Sequence, residues 1–237
     1  MKGFVVALQF LTRLPLPALR VSDAEFATSM RWFPAVGLVI GAILWLGATI
    51  GAWIDPWTGA LVVVALWVLV TGALHLDGLG DIADAGGAAH KDRERLHAAL
   101  ADPHVGSFAV VAIALQLIAK LVLVHAVASF PGLLLVPFAA RLGPLAWARW
   151  LPPLHEGLGS RFRAAVRPID LAISTAALAA SAWFLPALLM APVFIALWDW
   201  HLRHSLGGIS GDGHGAGIEL IETGLLLSLA IGARLTA

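Results

Sequence analysis

Long uncharged apolar runs alternate with short polar segments along most of the chain. Pro34–Ile54 is 21 residues without a charge and Pro56–Leu74 is 19. A helix needs about 20 apolar residues to cross roughly 30 Å of hydrocarbon. Asp55-Pro56 between the two runs is a turn, so they predict a transmembrane hairpin. Val105–Ala126 and Leu133–Trp150 predict a third and a fourth span, interrupted by Lys120 and Arg141. Leu171–Trp198 is 28 residues without a charge. It reads as two spans, about 169–187 and 190–204, because a turn at Pro186–Pro192 returns the chain to the side of the earlier loops. Ile218–Ala233 is the last span and starts with Glu219 and Glu222. Phe4–Leu14 is too short to cross and predicts an interfacial or re-entrant helix. It lacks the small-residue cleavage pattern of a signal peptide. The expected architecture is all-α: a polytopic membrane bundle of about seven transmembrane helices, in one domain over residues 1–237.

Composition agrees. Hydrophobic residues make up 59% of the 237 and charged residues 13%, against roughly 25% charged in a soluble domain. The missing charge implies a surface that faces the lipid bilayer. With 10 Trp and no Tyr, an interfacial belt must be built from Trp and Phe. The absence of Cys excludes disulfides and thiolate metal sites. A formal net charge of zero gives no general attraction to nucleic acid. Basic residues lie in the N-terminal segment and in the loops 75–104 and 151–168, and none lies in the turns 55–57 and 128–132. The positive-inside rule puts those loops in the cytoplasm of a bacterial or archaeal inner membrane. The glycine-rich segment Gly207–Gly217 falls on the same face.

The charge is concentrated after the second run. His75-Leu76-Asp77-Gly78-Leu79-Gly80-Asp81-Ile82-Ala83-Asp84 brings three carboxylates at spacings of four and three. At about 100° per residue on a helix they share a fan of about 60°. Like charges so placed repel, and hard oxygen ligands suit Mg²⁺ or Mn²⁺. A solvated acidic loop end is the plain alternative; the shared face and the adjoining membrane run favour metal. Gly86-Gly87 predicts a break, followed by a helix from about Asp92 to Ala101. Asp102 either caps the third span or is a ligand, and His104 is either a phosphate contact or a surface residue. Gly207–Gly217 holds six glycines in eleven residues and opens a helix, so its N–H groups suit an anion. Asp212, Glu219 and Glu222 reach the same face, and acidic residues in a spanning helix are functional candidates. Lys120 and Arg141, inside apolar runs, either pair with such an acid or contact phosphate.

Two classes of function fit this pattern: a metal-dependent membrane transferase acting on a diphosphate, and a transporter. Acidic residues at span ends rather than at the bilayer midplane favour the transferase.

The assembled residues resemble one family. Phe10-Leu11-Thr12-Arg13-Leu14-Pro15, Arg31-Trp32-Phe33-Pro34-Ala35-Val36-Gly37, the His75–Asp84 stretch and Gly208-Ile209-Ser210-Gly211-Asp212 look like cobalamin synthases, the adenosylcobinamide-GDP ribazoletransferases. The resemblance runs in order from residue 9 to about 222, and an Asp102-to-Phe108 element follows the acidic signature. It implies transfer of an adenosylcobinamide-phosphate group from adenosylcobinamide-GDP to α-ribazole or its 5′-phosphate, with release of GMP and Mg²⁺ as cofactor. It implies metal ligation by Asp77, Asp81 and Asp84, with Asp102 or Asp212 completing the metal shell or acting as base. Arg13, His75, Lys91, Arg93, His104, Gly211, Glu219 and Glu222 are the expected substrate-binding residues. Three departures stand out: His104 where Arg is common, Ala85 before Gly86, and Gly213-His214 where bulkier residues are common. CDP-alcohol phosphotransferases share the chemistry but have a different Asp spacing. Assembly as monomer or homo-oligomer stays open.

Overall fold

The computed structural model describes residues 2–89, 96, 100, 104–127, 130–154 and 158–235. Lys91, Arg93, Asp102 and most of the helix expected at 92–101 lie outside the described residues. Among the described residues there are helices and no strand, with one isolated bridge between Pro153 and Ile209. The all-α membrane bundle is borne out.

Helix α1 (Lys2–Leu11) packs its Val6, Ala7, Leu8 and Leu11 face inward. Ser22 caps α2 (Asp23–Ser29) through a reciprocal pair with Glu25. A 3₁₀ turn, Met30–Trp32, carries the chain into α3 (Phe33–Gly51). Asp55 caps α4 (Pro56–Thr71), accepting from the N–H groups of Trp57 at 2.8 Å and Thr58 at 3.1 Å. The α3–α4 hairpin is therefore the one expected from the two apolar runs.

Among the described residues, three stretches are long and apolar enough to cross a membrane: Asp23–Gly51, α6 (Ser107–Val127) and α12 (Gly211–Leu235). At 1.5 Å per residue the 21 residues of α6 cover about 31 Å. Its Val110, Val111, Leu115, Ile118 and Val122 are exposed, as a lipid-facing stripe must be. Helix α4 and α5 (Leu74–Ala89) together are a fourth apolar stretch, bent by 86°. The bend occurs at Gly72 and Ala73, whose φ angles of 61° and 59° are left-handed. Beyond it α5 no longer follows the α4 axis. It packs against the first turns of α6 and α12.

Among the described residues, three or four stretches meet that length and composition, and further apolar helices accompany them. The expected fourth span is split into α7 (Phe130–Ala140, 11 residues) and α8 (Leu142–Trp150, 9 residues). Pro144 cannot donate to the carbonyl four residues back, so the ladder is interrupted where Arg141 turns inward. After α9 (Leu158–Ala165), the long apolar run forms α10 (Pro168–Ala182), a 3₁₀ turn at Pro186–Met190, and α11 (Ala191–Ser205). The break falls at the expected prolines, but each helix has 15 residues, short of the about 20 needed to cross alone. Trp53, Trp183 and Phe184 stand exposed at the far ends of α3 and α10, where an aromatic belt belongs.

Two glycine-rich expectations also change. The helix of α5 runs through Gly86-Gly87 without a break. The Gly207–Gly217 segment is a loop only to Ser210; from Gly211 it is α12. A Cβ on Gly217 would run into Trp147 and Trp198, so this glycine makes room for packed indoles.

Candidate active site

Helix α5 touches the first turns of both α12 and α6. A Cβ on Gly78 would come within 2.8 Å of the Asp212 carbonyl oxygen, so only glycine allows this approach. The contact sets the carboxylates of α5 beside Asp212. On the other side, Asp84 accepts from the backbone N–H of Gly106 at 2.6 Å and of Ala109 at 2.9 Å. Asp84 thus caps α6 from a neighbouring helix and fixes α5 against it.

Asp77 is exposed, while Asp81 and Asp212 are half-buried. Burial, followed by the negative Asp212, Asp77 and Asp84, pushes the Asp81 carboxyl up from its ordinary 3.8 to about 6. Four carboxylates on two helices therefore feel one another. Ser210 Oγ accepts from the Gly213 N–H at 3.0 Å and caps α12. The positive end of that helix dipole faces the cluster. Gly211, its first residue, is exposed, with open space where a side chain would begin.

A cavity of about 150 Å³ opens beside Asp77, Gly211 and Asp212. Its walls are Phe10, Leu11, Met30, Phe33, Phe162 and Ile218, with His75 and His214 among them. Phe10 stacks on Phe33 with centroids 5.8 Å apart, and Phe162 meets Phe33 edge-on at 6.5 Å. His75 is in the expected place but is buried rather than presented to solvent.

Glu219 and Glu222 are elsewhere: they lie in the interior, not on a surface a substrate reaches. Lys120 Nζ bonds Glu219 at 2.7 Å and Glu222 at 2.6 Å. Arg141 donates to Glu222 at 2.8 Å and to the Pro137 carbonyl at 2.9 Å. Gln116 donates to Glu219 Oε2 at 2.8 Å, and Lys120 sits 4.2 Å from the Trp67 ring centroid. Of the two readings open for Lys120 and Arg141, pairing with acid is the observed one. Two cations and two anions balance inside the bundle. Arg13 is exposed at the α4–α5 bend, with its side chain against Gly72 and its N–H donating to the Val70 carbonyl at 2.7 Å. His104 is exposed just before α6.

The cobalamin-5-phosphate synthase family model matches residues 3–230 of this chain, which takes in α5, the cavity and the buried ion network. The chain belongs to that family. An adenosylcobinamide-GDP ribazoletransferase of Novosphingobium aromaticivorans is 66% identical over 98% of this chain and 97% of its own length. Proteins of the same name from Laribacter hongkongensis and Thiobacillus denitrificans are 52% and 47% identical, over 99% and 96% of this chain and 99% and 94% of their own lengths. No solved structure matches. Membership in the cobalamin-5-phosphate synthase family makes the protein an enzyme of cobalamin synthesis.

Whether the carboxylates suit a metal is a question of donor chemistry and of charge. The donors are hard oxygens, and the charges of Asp212, Asp77 and Asp84 add to burial in pushing the Asp81 carboxyl up. Among the described residues no three carboxylates or imidazoles converge closely enough to hold an ion by themselves. Mg²⁺ does not ask for such a cage, since it binds through one or two carboxylates plus substrate phosphates. The residues fit Mg²⁺ on those terms. His214 and the phenylalanine wall were missed by sequence reasoning; the one available signal was a histidine two residues after Asp212.

Proposed function

We propose that the protein transfers the adenosylcobinamide-phosphate group of adenosylcobinamide-GDP to α-ribazole or its 5′-phosphate and releases GMP. One observation carries this reading: Asp77 and Asp212 line a largely apolar cavity, and Asp81 lies near enough to feel the charge of both. Bound Mg²⁺ would neutralise the diphosphate and the departing phosphate. Asp77 and Asp81 would hold it, and Asp84, tied to the N-terminus of α6, would position α5. Arg13 and the N-terminus of α12 at Gly211 would take phosphate oxygens. Asp212, between metal site and cavity, would accept the proton of the attacking ribose hydroxyl. The new bond forms from that oxygen to the phosphorus nearest cobinamide, and the bond from that phosphorus to the GMP oxygen breaks. The basic residues of this end suggest that the face is cytoplasmic.

Purified protein in detergent is expected to release GMP only when donor, acceptor and Mg²⁺ are all present, and to stop on addition of EDTA. GMP release that continues in EDTA would remove the metal from the mechanism.

The raised Asp81 pKa sets a pH dependence. Proton binding at Asp81 stabilises the metal-free fold, fully below pH 3.8, and this contribution is lost as pH rises through about 6. A metal ion must displace that proton. The rise in Tm produced by Mg²⁺ is therefore expected to be larger at about pH 7.5 than at about pH 5. Thermal unfolding in detergent with and without Mg²⁺ checks it, and equal rises at the two values would count against Asp81 as a ligand.

A further inference from the structure

The helix turn that carries Asp212 is weak by composition. Gly211, Gly213, Gly215 and Gly217 alternate through the start of α12. Glycine is the poorest helix former after proline, and helix ends fray first. Contacts from other elements must therefore hold this turn in shape. Helix α11 supplies them. Phe194, Trp198 and Leu202 are four residues apart and form one stripe along it. Each meets a glycine of α12: an added Cβ would lie 2.9 Å from Phe194 at Gly224, 2.6 Å from Trp198 at Gly217 and 3.6 Å from Leu202 at Gly213. The half-buried Trp198 also makes a polar contact. Its indole N–H donates to the carbonyl of Gly213, the residue after Asp212, at 2.8 Å. The ring stacks on His201, with centroids 5.1 Å apart and planes 21° from parallel. Fully buried Trp147 reaches the same Gly217 and donates to the Ile195 carbonyl at 3.0 Å, which ties α11 to α8. The donor thus sits on a braced helix.

We infer that Trp198 is a positioning residue: its indole N–H fixes the first turn of α12 and, through that turn, the Asp212 carboxylate. This rests on the proposed transferase reading, in which Asp212 takes the proton of the attacking hydroxyl. A base must lie within hydrogen-bond reach of the proton it removes. When the turn loosens, substrates still bind, but the carboxylate spends less time in reach and the chemical step slows.

Replacing Trp198 alone by 3-benzothienylalanine tests this, because that side chain has the shape of indole with sulfur in place of the N–H. In the full-length protein in detergent, kcat for GMP release is expected to fall about tenfold, with KM for both substrates within about twofold of wild type. Amide hydrogen exchange over residues 213–217 should quicken about fivefold, with α3 unchanged. In an Asp212→Asn background the same replacement should change kcat by less than about twofold, because no base is left to position. Unchanged kcat and unchanged exchange overturn the inference and leave the transferase reading standing. So do equal losses of kcat with and without Asp212, since Trp198 then acts on something else. A wild type that releases no GMP overturns the transferase reading, and with it the role of Asp212 that the inference rests on.

Discussion

Asp77→Asn is expected to lower kcat by about 10³-fold, equivalent to ~4 kcal/mol of lost charge stabilisation in the transition state. The fold should be unaffected, because Asp77 is exposed and its removal relieves repulsion with Asp81. Asn keeps size and polarity but cannot neutralise a cation. The loss should therefore appear mainly in the Mg²⁺ concentration required and in kcat, and less in the affinity for α-ribazole. Asp84→Asn should behave differently. It weakens the bonds to Gly106 and Ala109 that hold α5 to α6, so its cost should fall on Tm as well as on rate. Steady-state GMP release across a Mg²⁺ titration, with melting curves alongside, separates the two. Full Mg²⁺-dependent turnover in Asp77→Asn would remove it from the metal site.

Glu222→Ala is expected to destabilise the protein by about 3–5 kcal/mol, the usual cost of removing one partner from a buried ion network. Glu222 is fully buried and is the acid shared by Lys120 and Arg141. Without it two interior cations are left with Glu219 alone. The paired replacement Arg141→Met with Glu222→Leu should cost less than Glu222→Ala, because charge and partner leave together. Denaturant unfolding in mixed micelles measures both. A double variant no more stable than the single one would mean that these residues are not coupled. The network joins α6, the α7–α8 break and α12, whose first turn carries Asp212. Its loss should also blur the site.

The features legible in the sequence were those carried by neighbouring residues. Pro34–Ile54 and Pro56–Leu74 are uncharged and separated by a capping Asp55, and the hairpin follows from hydropathy and one turn. Asp77, Asp81 and Asp84 share a face because α5 is a helix, as their spacing implied. What escaped depends on contacts between distant residues. Gly86-Gly87 does not break α5, because the chain there is packed, with Gly87 against Phe108 of α6. The glycines after Gly211 lie in a packed helix, with Gly217 against Trp147 and Trp198 and Gly215 against His75 of α5. Arg141, at the break before Pro144, turns inward to Glu222, far along the chain. The cavity joins Phe10, Phe33, His75, Phe162 and His214, and no local pattern announces such a set.

Metal binding at the carboxylate cluster is the central claim, and Mn²⁺ titration followed by EPR tests it most directly. The wild-type protein should hold Mn²⁺ in competition with Mg²⁺, more tightly when adenosylcobinamide-GDP is present. Asp77→Asn and Asp81→Asn should each weaken that binding by at least about tenfold. Mn²⁺ binding that is unchanged in both variants would contradict the account.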